Sequence, residues 1–320
     1  MKNILLSFIF ILSLTAFSAC EKAIETTEEN TKLKIITTFY PLEFLLNELW
    51  WEKAEIVNLS WNQWVHSYSP SPQDLVKIHN SDLFVFVWES LEPWVEDLEA
   101  SLTWNQTFEV SSEIQLEKPQ ERSHEEHEKD HEESSEENHE ADKDEHHHDH
   151  WDLDPHFWLS PVLMKELAEK TEARLSVLDS ENSEFYKNNL EILSVKLDNL
   201  ENSYKSDLKK CENEALISHD AFGYIERAYS LRLHPISGLS HKDEPSAKIL
   251  AELKEEAKEW VEYVLVEEWN VEDFAKVLAS ETWIKTLKIN PMGKWVSDWD
   301  NYFSVMRENL ENFKISLNCN

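Results

Sequence analysis

The sequence predicts an α/β fold of two Rossmann-like β/α lobes that are joined by one long helix. From residue 33 onward, β-branched and aromatic runs alternate with amphipathic stretches, which is typical of parallel strands connected by helices. Four such units precede the middle of the chain and four follow it. The 320 residues are enough for two domains of about 150 residues each, and 41% of them are hydrophobic and can form a core.

The first lobe begins with the strand KIITTFY, whose β-branched and aromatic residues favour an extended chain. Its predicted strands are 34–40, 55–60, 82–88 and 107–111, and its predicted helices are 41–50, 71–80, 92–102 and 161–178. The second lobe repeats the alternation, with predicted strands at 214–218, 232–236, 262–267 and 285–289. Its helices are predicted at 221–230, 245–259, 271–282 and 300–314.

Hydrophobic spacing predicts one long helix between the lobes. Its apolar and tyrosine side chains recur at intervals of three and four and share one face: Tyr186, Leu190, Leu193, Leu197, Leu200, Tyr204 and Leu208. As a helix this stretch would measure about 35 Å. One more core helix would fit the spacing equally well, but the position between two equal sets of units favours a linker. We therefore predict an N-terminal lobe at 33–180, a linker helix at 181–210 and a C-terminal lobe at 211–320.

The N-terminus predicts export. Lys2 precedes an apolar run of 14 residues, which is shorter than the ~20 residues needed to span a bilayer, and the run ends at Ser18-Ala19-Cys20. Phe17-Ser18-Ala19-Cys20 resembles a bacterial lipobox, with Phe in place of the usual Leu. We therefore expect a lipoprotein signal peptide at 1–20, lipidation of Cys20 and a polar tether at 21–32. The alternative is an ordinary buried helix with a chance cysteine.

The strongly negative net charge of the chain disfavours nucleic acid as a partner and favours cations. The chain has 64 acidic and 30 basic residues and a formal net charge of −34, so it would repel nucleic acid and attract cations. The two remaining cysteines, Cys211 and Cys319, are a candidate disulfide in an oxidising compartment. Whether they pair stays open, because the sequence does not give their separation in space.

Residues 121–150 form an acidic, histidine-rich insert in the first lobe. The segment contains 14 acidic residues, three basic residues and eight histidines, and it has no apolar face, so we expect it to be disordered. Imidazole and carboxylate groups bind zinc-like cations, which predicts a low-affinity collector rather than a solvated acidic loop. Its histidines are His124, His127, His131, His139, His146, His147, His148 and His150.

Three other histidines occupy positions where a metal site is expected. His66 lies in the loop after the second strand, His219 directly follows the strand ALIS, and His156 comes shortly after the insert. Ligands of open α/β sheets bind beyond the carboxyl ends of the strands, so these side chains could meet in the interlobe cleft. Three neutral imidazoles suit Zn²⁺, whereas Mn²⁺ favours more carboxylates.

The order of motifs along the chain resembles the metal-binding lipoproteins of bacterial zinc ABC importers, in the class of solute-binding proteins with a rigid helical linker. The motifs are TTFYPL (37–42), HSYSPSPQDL (66–75), LEPWVE (91–96), DPHFWLSP (154–161), SHDAFGY (218–224), INPMG (289–293) and DNYFSVMRENL (300–310). The resemblance implies a non-enzymatic, high-affinity zinc-binding component of an ABC importer. It would be anchored outside the cytoplasmic membrane or lie in the periplasm, and would be a monomer that delivers Zn²⁺ to a membrane permease.

The resemblance also implies that the family's three imidazole ligands correspond to His66, His156 and His219. The fourth position departs from the family pattern, because relatives place Asp or Glu in the segment that here reads INPMG. The remaining candidates for a fourth ligand are water, Asn290, Glu267 and Asp298.

Three other functions stay open at this stage. A manganese-type solute-binding protein or adhesin would share the fold, and a periplasmic zinc buffer would use the insert as its functional part. A secreted zinc hydrolase could also use three histidines and an open position, although the chain lacks the His-Glu-x-x-His motif.

The tryptophan and glycine counts suggest a non-standard genetic code. The chain has 14 Trp and 3 Gly, whereas average usage predicts roughly 22 Gly. Several tryptophans stand at turns or helix ends where glycine is physically favoured: Trp61, Trp64, Trp151, Trp283, Trp295 and Trp299. We hypothesise that the gene reads UGA as glycine, that Trp94 and Trp158 are true tryptophans, and that the other 12 are suspect. The alternative is a truly tryptophan-rich chain, and the codons decide between them.

Overall fold

The computed structural model describes residues 32–320, apart from 51–52, 62, 89–90, 100, 104–105, 121–152, 240–244, 246, 268–273, 295 and 297–298. The predicted signal peptide with Cys20, nearly all of the predicted tether, the histidine-rich insert and Asp298 lie outside the described residues. Leu33–Asn320 form one compact unit.

The first half of this unit contains a four-stranded parallel sheet of β1 (Leu33–Thr37), β2 (Ala54–Asn58), β3 (Leu83–Phe86) and β4 (Thr107–Glu109). The strand order is β2-β1-β3-β4. The helices of this half are α1 (Tyr40–Trp50), α2 (Pro72–His79), α3 (Glu96–Glu99) and α4 (Pro161–Leu178). Short 3₁₀ turns at Val65–Ser67 and Phe157–Leu159 follow β2 and precede α4, respectively.

The second half repeats this arrangement. Its parallel sheet contains β5 (Ala215–His219), β6 (Leu233–Ser237), β7 (Tyr263–Glu267) and β8 (Lys285–Ile289), in the order β6-β5-β7-β8. Its helices are α6 (Gly223–Tyr229), α7 (Ala247–Trp260), α8 (Phe274–Thr282) and α9 (Tyr302–Ser316). All eight predicted strands and the alternation of strands with helices are therefore confirmed.

One predicted helix is much shorter than expected. Among its described residues, which exclude 100, the stretch 92–102 contains a 3₁₀ turn at Pro93–Val95 and the four α-helical residues of α3. The hydroxyl of Ser101 donates a hydrogen bond of 2.7 Å to the carbonyl of Leu98. Such a side-chain bond competes with continued helix and closes the turn.

The long helix α5 (Ser183–Asp207) lies between the two halves of the chain and contacts both. The ring of Tyr186 packs edge-on against Trp50 in α1, with 5.2 Å between ring centroids. Near the other end, the hydroxyl of Tyr204 donates a hydrogen bond of 2.7 Å to the carbonyl of Met306 in α9. The side chains predicted to share one face of this helix, from Tyr186 to Leu208, form its buried face, so α5 both connects the lobes and forms part of their core. The lobe boundaries at residues 180 and 210 stay predictions.

Cys211 and Cys319 are joined in a disulfide across 108 positions of sequence. The bond ties the segment before β5 to the chain after α9. Backbone hydrogen bonds flank it, since the amides of Glu212 and Asn213 both donate to the carbonyl of Leu317. Among the described helices, none is both long enough and apolar enough to cross a membrane.

Two suspect tryptophans have environments that fit glycine. Trp283 follows the C-terminus of α8 with a left-handed φ of 63°, and 91% of its surface is exposed. Glycine is strongly preferred at such helix ends because it has no Cβ. Trp299 is 95% exposed, whereas Trp50 and Trp88 are buried, so glycine at those two positions would leave cavities. The recoding hypothesis stays a prediction.

Candidate metal centre

His66 lies in the 3₁₀ turn Val65–Ser67, beyond the carboxyl end of β2, and is half-buried. A backbone contact from the second half of the chain holds this turn. The amide of Val65 donates a hydrogen bond of 2.9 Å to the carbonyl of Gly293, which follows β8. The position of His66 therefore depends on packing between the two halves.

His156 precedes the 3₁₀ turn Phe157–Leu159 and is only 1% exposed. Oδ1 of Asp154 accepts a hydrogen bond of 3.0 Å from the His156 amide and lies 2.9 Å from its Nδ1. Next to it, the indole of Trp158 donates to the carbonyl of Pro291 at 2.7 Å. Nε2 of His156 is buried and has no hydrogen-bond partner among the described residues.

His219 is the last residue of β5 and is buried. Its Nδ1 is hydrogen-bonded to Oε1 of Glu267, the last residue of the neighbouring strand β7. The amide of Glu267 donates to Oγ of Ser218 at 3.1 Å, which connects the two strand ends. Because β5 and β7 run parallel, residues 48 positions apart meet at one edge of the sheet.

These three histidines form a cluster with the chemistry of a zinc site. One ligand atom from each of His66, His156 and His219 lies within 4.8 Å of the others. The nitrogens of a tetrahedral zinc site, with bonds of 2.0–2.1 Å, are separated by about 3.3 Å, so a modest approach of the three rings would bring their nitrogens to coordination distance. A bound metal ion would give the buried Nε2 of His156 a partner, which the described residues do not provide.

The local environment keeps His156 in the form that binds metal. Burial is the main reason that its pKa lies well below the ordinary value of 6.5, and neighbouring His219 lowers it further. Asp220 and Glu267 act in the opposite direction but do not overcome burial. A neutral imidazole needs no deprotonation before it coordinates a cation.

The cluster does not include Glu267, and Asp298 lies outside the described residues. Oδ1 of Asn290 accepts a hydrogen bond of 2.8 Å from the amide of Met292, which closes a local turn. Glu267 is bonded to His219, and Gly293 offers no side chain. Sequence reasoning overlooked Asp154, although the Asp-Pro-His spacing could have indicated an aspartate that accepts a bond from the amide two residues later.

Comparisons with known proteins agree with this chemistry. A family model described as the periplasmic zinc-uptake complex component A matches residues 35–315. The chain is 35% identical over 295 residues to the high-affinity zinc uptake system protein ZnuA of Bacillus subtilis, covering 89% of this chain and 88% of that protein. It is 31% identical to the zinc-binding lipoprotein AdcA of Streptococcus pneumoniae, but the match covers 88% of this chain and only 55% of AdcA.

Solved structures confirm the predicted two-lobe α/β fold. The Zn(II)-bound ZnuA-like domain of S. pneumoniae AdcA matches with a TM-score of 0.70 and 29% identity, covering 89% of this chain and 99% of that domain. The laminin-binding protein of Streptococcus agalactiae, described as bifunctional with adhesin and metal-transporting activity, matches with a TM-score of 0.73 and 25% identity. That match covers 89% of this chain and 99% of the other.

Proposed function

Because the chain belongs to the family of the periplasmic zinc-uptake complex component A, we propose that it is the extracytoplasmic zinc-binding component of an ABC importer. It captures Zn²⁺ and delivers it to a membrane permease. The observation that carries this assignment is the cluster of His66, His156 and His219 at the carboxyl ends of the two sheets.

Zinc capture follows from the chemistry of the three side chains. Neutral imidazoles are good ligands for Zn²⁺, and a set without carboxylates disfavours Mn²⁺. We assign the fourth position to water or another small ligand, because no carboxylate, cysteine or further histidine joins the cluster among the described residues. A site with three protein ligands and an exchangeable fourth can release its metal more easily than a closed site.

Delivery depends on the arrangement of the two halves. His66 and His156 belong to the first half and His219 to the second, so bound metal bridges the halves. Backbone carbonyls of the second half also accept hydrogen bonds from Val65 and Trp158, which flank the first two ligands. Zinc favours the arrangement that brings these groups together, and the permease recognises that loaded arrangement.

Location and assembly follow from the same proposal. The protein is a lipid-anchored monomer on the outer face of the cytoplasmic membrane, attached through Cys20, and it is not an enzyme. Its histidine-rich insert binds metal weakly and supplies no ligand to the tight site.

Zinc titration by competition with a chromogenic chelator tests the ligand assignment. Substitution His156→Ala should weaken binding by more than about 100-fold, because even changes outside the ligand set cost 10–100-fold. His234→Ala is the matched control, since His234 lies near the amino end of β6 and pairs with Glu214 at 2.8 Å. Equal zinc affinity in the two variants would contradict the assignment.

Deletion of residues 121–150 tests the role of the insert. Tight binding of one zinc ion per chain should survive the deletion, because the cluster of three histidines lies outside this segment. Loss of tight binding together with the insert would instead identify a metal buffer and overturn the cleft assignment.

A further inference from the structure

Each of the two buried histidines in the cluster has a buried carboxylate behind it. Oδ1 of Asp154 lies 2.9 Å from Nδ1 of His156, and Oε1 of Glu267 is hydrogen-bonded to Nδ1 of His219. Asp154 is 1% exposed and Glu267 is 2% exposed. Each half of the chain therefore supplies one histidine together with its own carboxylate.

These carboxylates select which ring nitrogen faces the metal. An ionised carboxylate only accepts hydrogen bonds, so Nδ1 of each neutral ring must carry the proton and donate it. The lone pair is then on Nε2, and this tautomer is the one that coordinates through Nε2. For His156 that atom is the buried nitrogen without a hydrogen-bond partner among the described residues.

The carboxylates also compensate charge. Three neutral imidazoles contribute no charge, whereas Zn²⁺ brings two positive charges into a largely buried site, which is costly without counter-charge. Asp154 and Glu267 together carry two negative charges, each one imidazole ring away from the ligand atoms. Arg227 lies 3.8 Å from Oδ2 of Asp154 but remains partly exposed, while the buried Asp220 adds further negative charge beside His219.

We propose that Asp154 and Glu267 are positioning residues of the zinc site, which fix the tautomers of His156 and His219 and provide the negative charge that the ligands lack. This inference rests on the proposed function, because it takes the histidine cluster as the zinc site. It gives Glu267 an indirect role instead of direct coordination. Outer carboxylates of this kind raise the basicity of imidazole ligands and hold the rings in place.

Substitution Glu267→Gln separates charge from geometry. The amide oxygen of glutamine can still accept the hydrogen bond from His219, but the negative charge is lost. We expect zinc affinity, measured by chelator competition, to fall by about 10–100-fold. Glu226→Gln is the matched control, because Glu226 is a buried carboxyl of α6 that accepts a hydrogen bond from the amide of Leu233. The zinc affinity of this variant should equal that of the wild type.

Asp154→Asn provides a second variant in the other half, with the same expected loss. The circular dichroism of each metal-free variant shows whether the fold is retained. A third measurement needs no substitution: long-range ¹H–¹⁵N spectra of the wild-type protein with and without zinc. These spectra should show a protonated Nδ1 and a metal-bound Nε2 for both His156 and His219.

The results separate this inference from the proposed function. Wild-type affinity in folded Glu267→Gln and Asp154→Asn, or zinc coordination through Nδ1, would overturn the role of the carboxylates while the ligand set stands. Wild-type affinity in His156→Ala would overturn the ligand set itself.

Discussion

The disulfide between Cys211 and Cys319 should be a major source of stability. Replacing both cysteines by serine frees a loop of 108 positions in the unfolded chain. The chain-entropy relation for a loop of this length gives a loss of about 5 kcal/mol in unfolding free energy at 25 °C. The flanking backbone hydrogen bonds of Glu212, Asn213 and Asn320 remain possible in the variant, so the folded state should keep its shape.

Denaturant unfolding followed by circular dichroism measures this loss. Wild-type protein with reductant should unfold like the double variant, and reductant should not affect the double variant. Zinc affinity should be unchanged, because neither cysteine belongs to the histidine cluster. A loss below about 1 kcal/mol, or a fall in zinc affinity, would refute the reasoning that the bond acts on the unfolded chain.

Three further predictions concern the helix end, a buried acid and the metal site. Trp283→Gly should raise the free energy of unfolding by roughly 0.5–1 kcal/mol, because it removes a non-glycine residue with a left-handed backbone. Trp299→Gly should stay within about 0.5 kcal/mol of the parent protein. Thermal melts compare the two variants, and a destabilised Trp283→Gly would contradict the expected relief of backbone strain. Burial raises the pKa of Glu92 to about 7, so the folded state binds its proton more tightly than the unfolded state and stability is lost as pH rises from about 4.5 to 7. Glu92→Gln should therefore gain up to about 3 kcal/mol relative to wild type between pH 5 and pH 8, and a difference that does not change with pH would exclude this. Because burial holds the pKa of His156 well below 6.5, its contribution to zinc affinity should persist as the pH falls through 6.5 and be lost at lower pH, and a loss centred near pH 6.5 in chelator competition would contradict this.

The tryptophan hypothesis has a direct test at the level of the gene. UGA codons at Trp61, Trp64, Trp283 and Trp295 would support recoding, whereas UGG codons there would refute it. The structure sharpens the test at one of these sites. Trp283 combines a left-handed backbone with an almost fully exposed ring, so glycine at that position would remove strain and sacrifice little buried area.

Much of the architecture could be predicted from local patterns. Strands such as β3, with the sequence LFVF, are recognisable because a strand buried on both faces is a continuous apolar run. The helix at 92–102 was predicted too long, because apolar spacing does not reveal that the Ser101 side chain bonds back to the chain. Local patterns record which side chains are apolar, but not every competing hydrogen bond.

The three candidate metal ligands could be proposed from sequence because each histidine stands close to a strand end or a recognisable motif, and the ends of parallel strands share one edge of a sheet. The fourth-ligand candidates could not be resolved in that way. Asn290 and Glu267 both follow or end a strand, yet one bonds to the amide of Met292 and the other to His219. Small differences in packing decide which partner a polar side chain reaches.

The sequence by itself determined the alternation of strands and helices, the long connecting helix and the three histidines, because these depend on periodicity and on position along the chain. Only the tertiary structure decided that Cys211 pairs with Cys319, and that Asp154 and Glu267 contact the rings of His156 and His219. Hydrogen bonds and disulfides need atoms within a few ångströms, and for residues 48 or 108 positions apart that distance is set by how the sheets and helices pack.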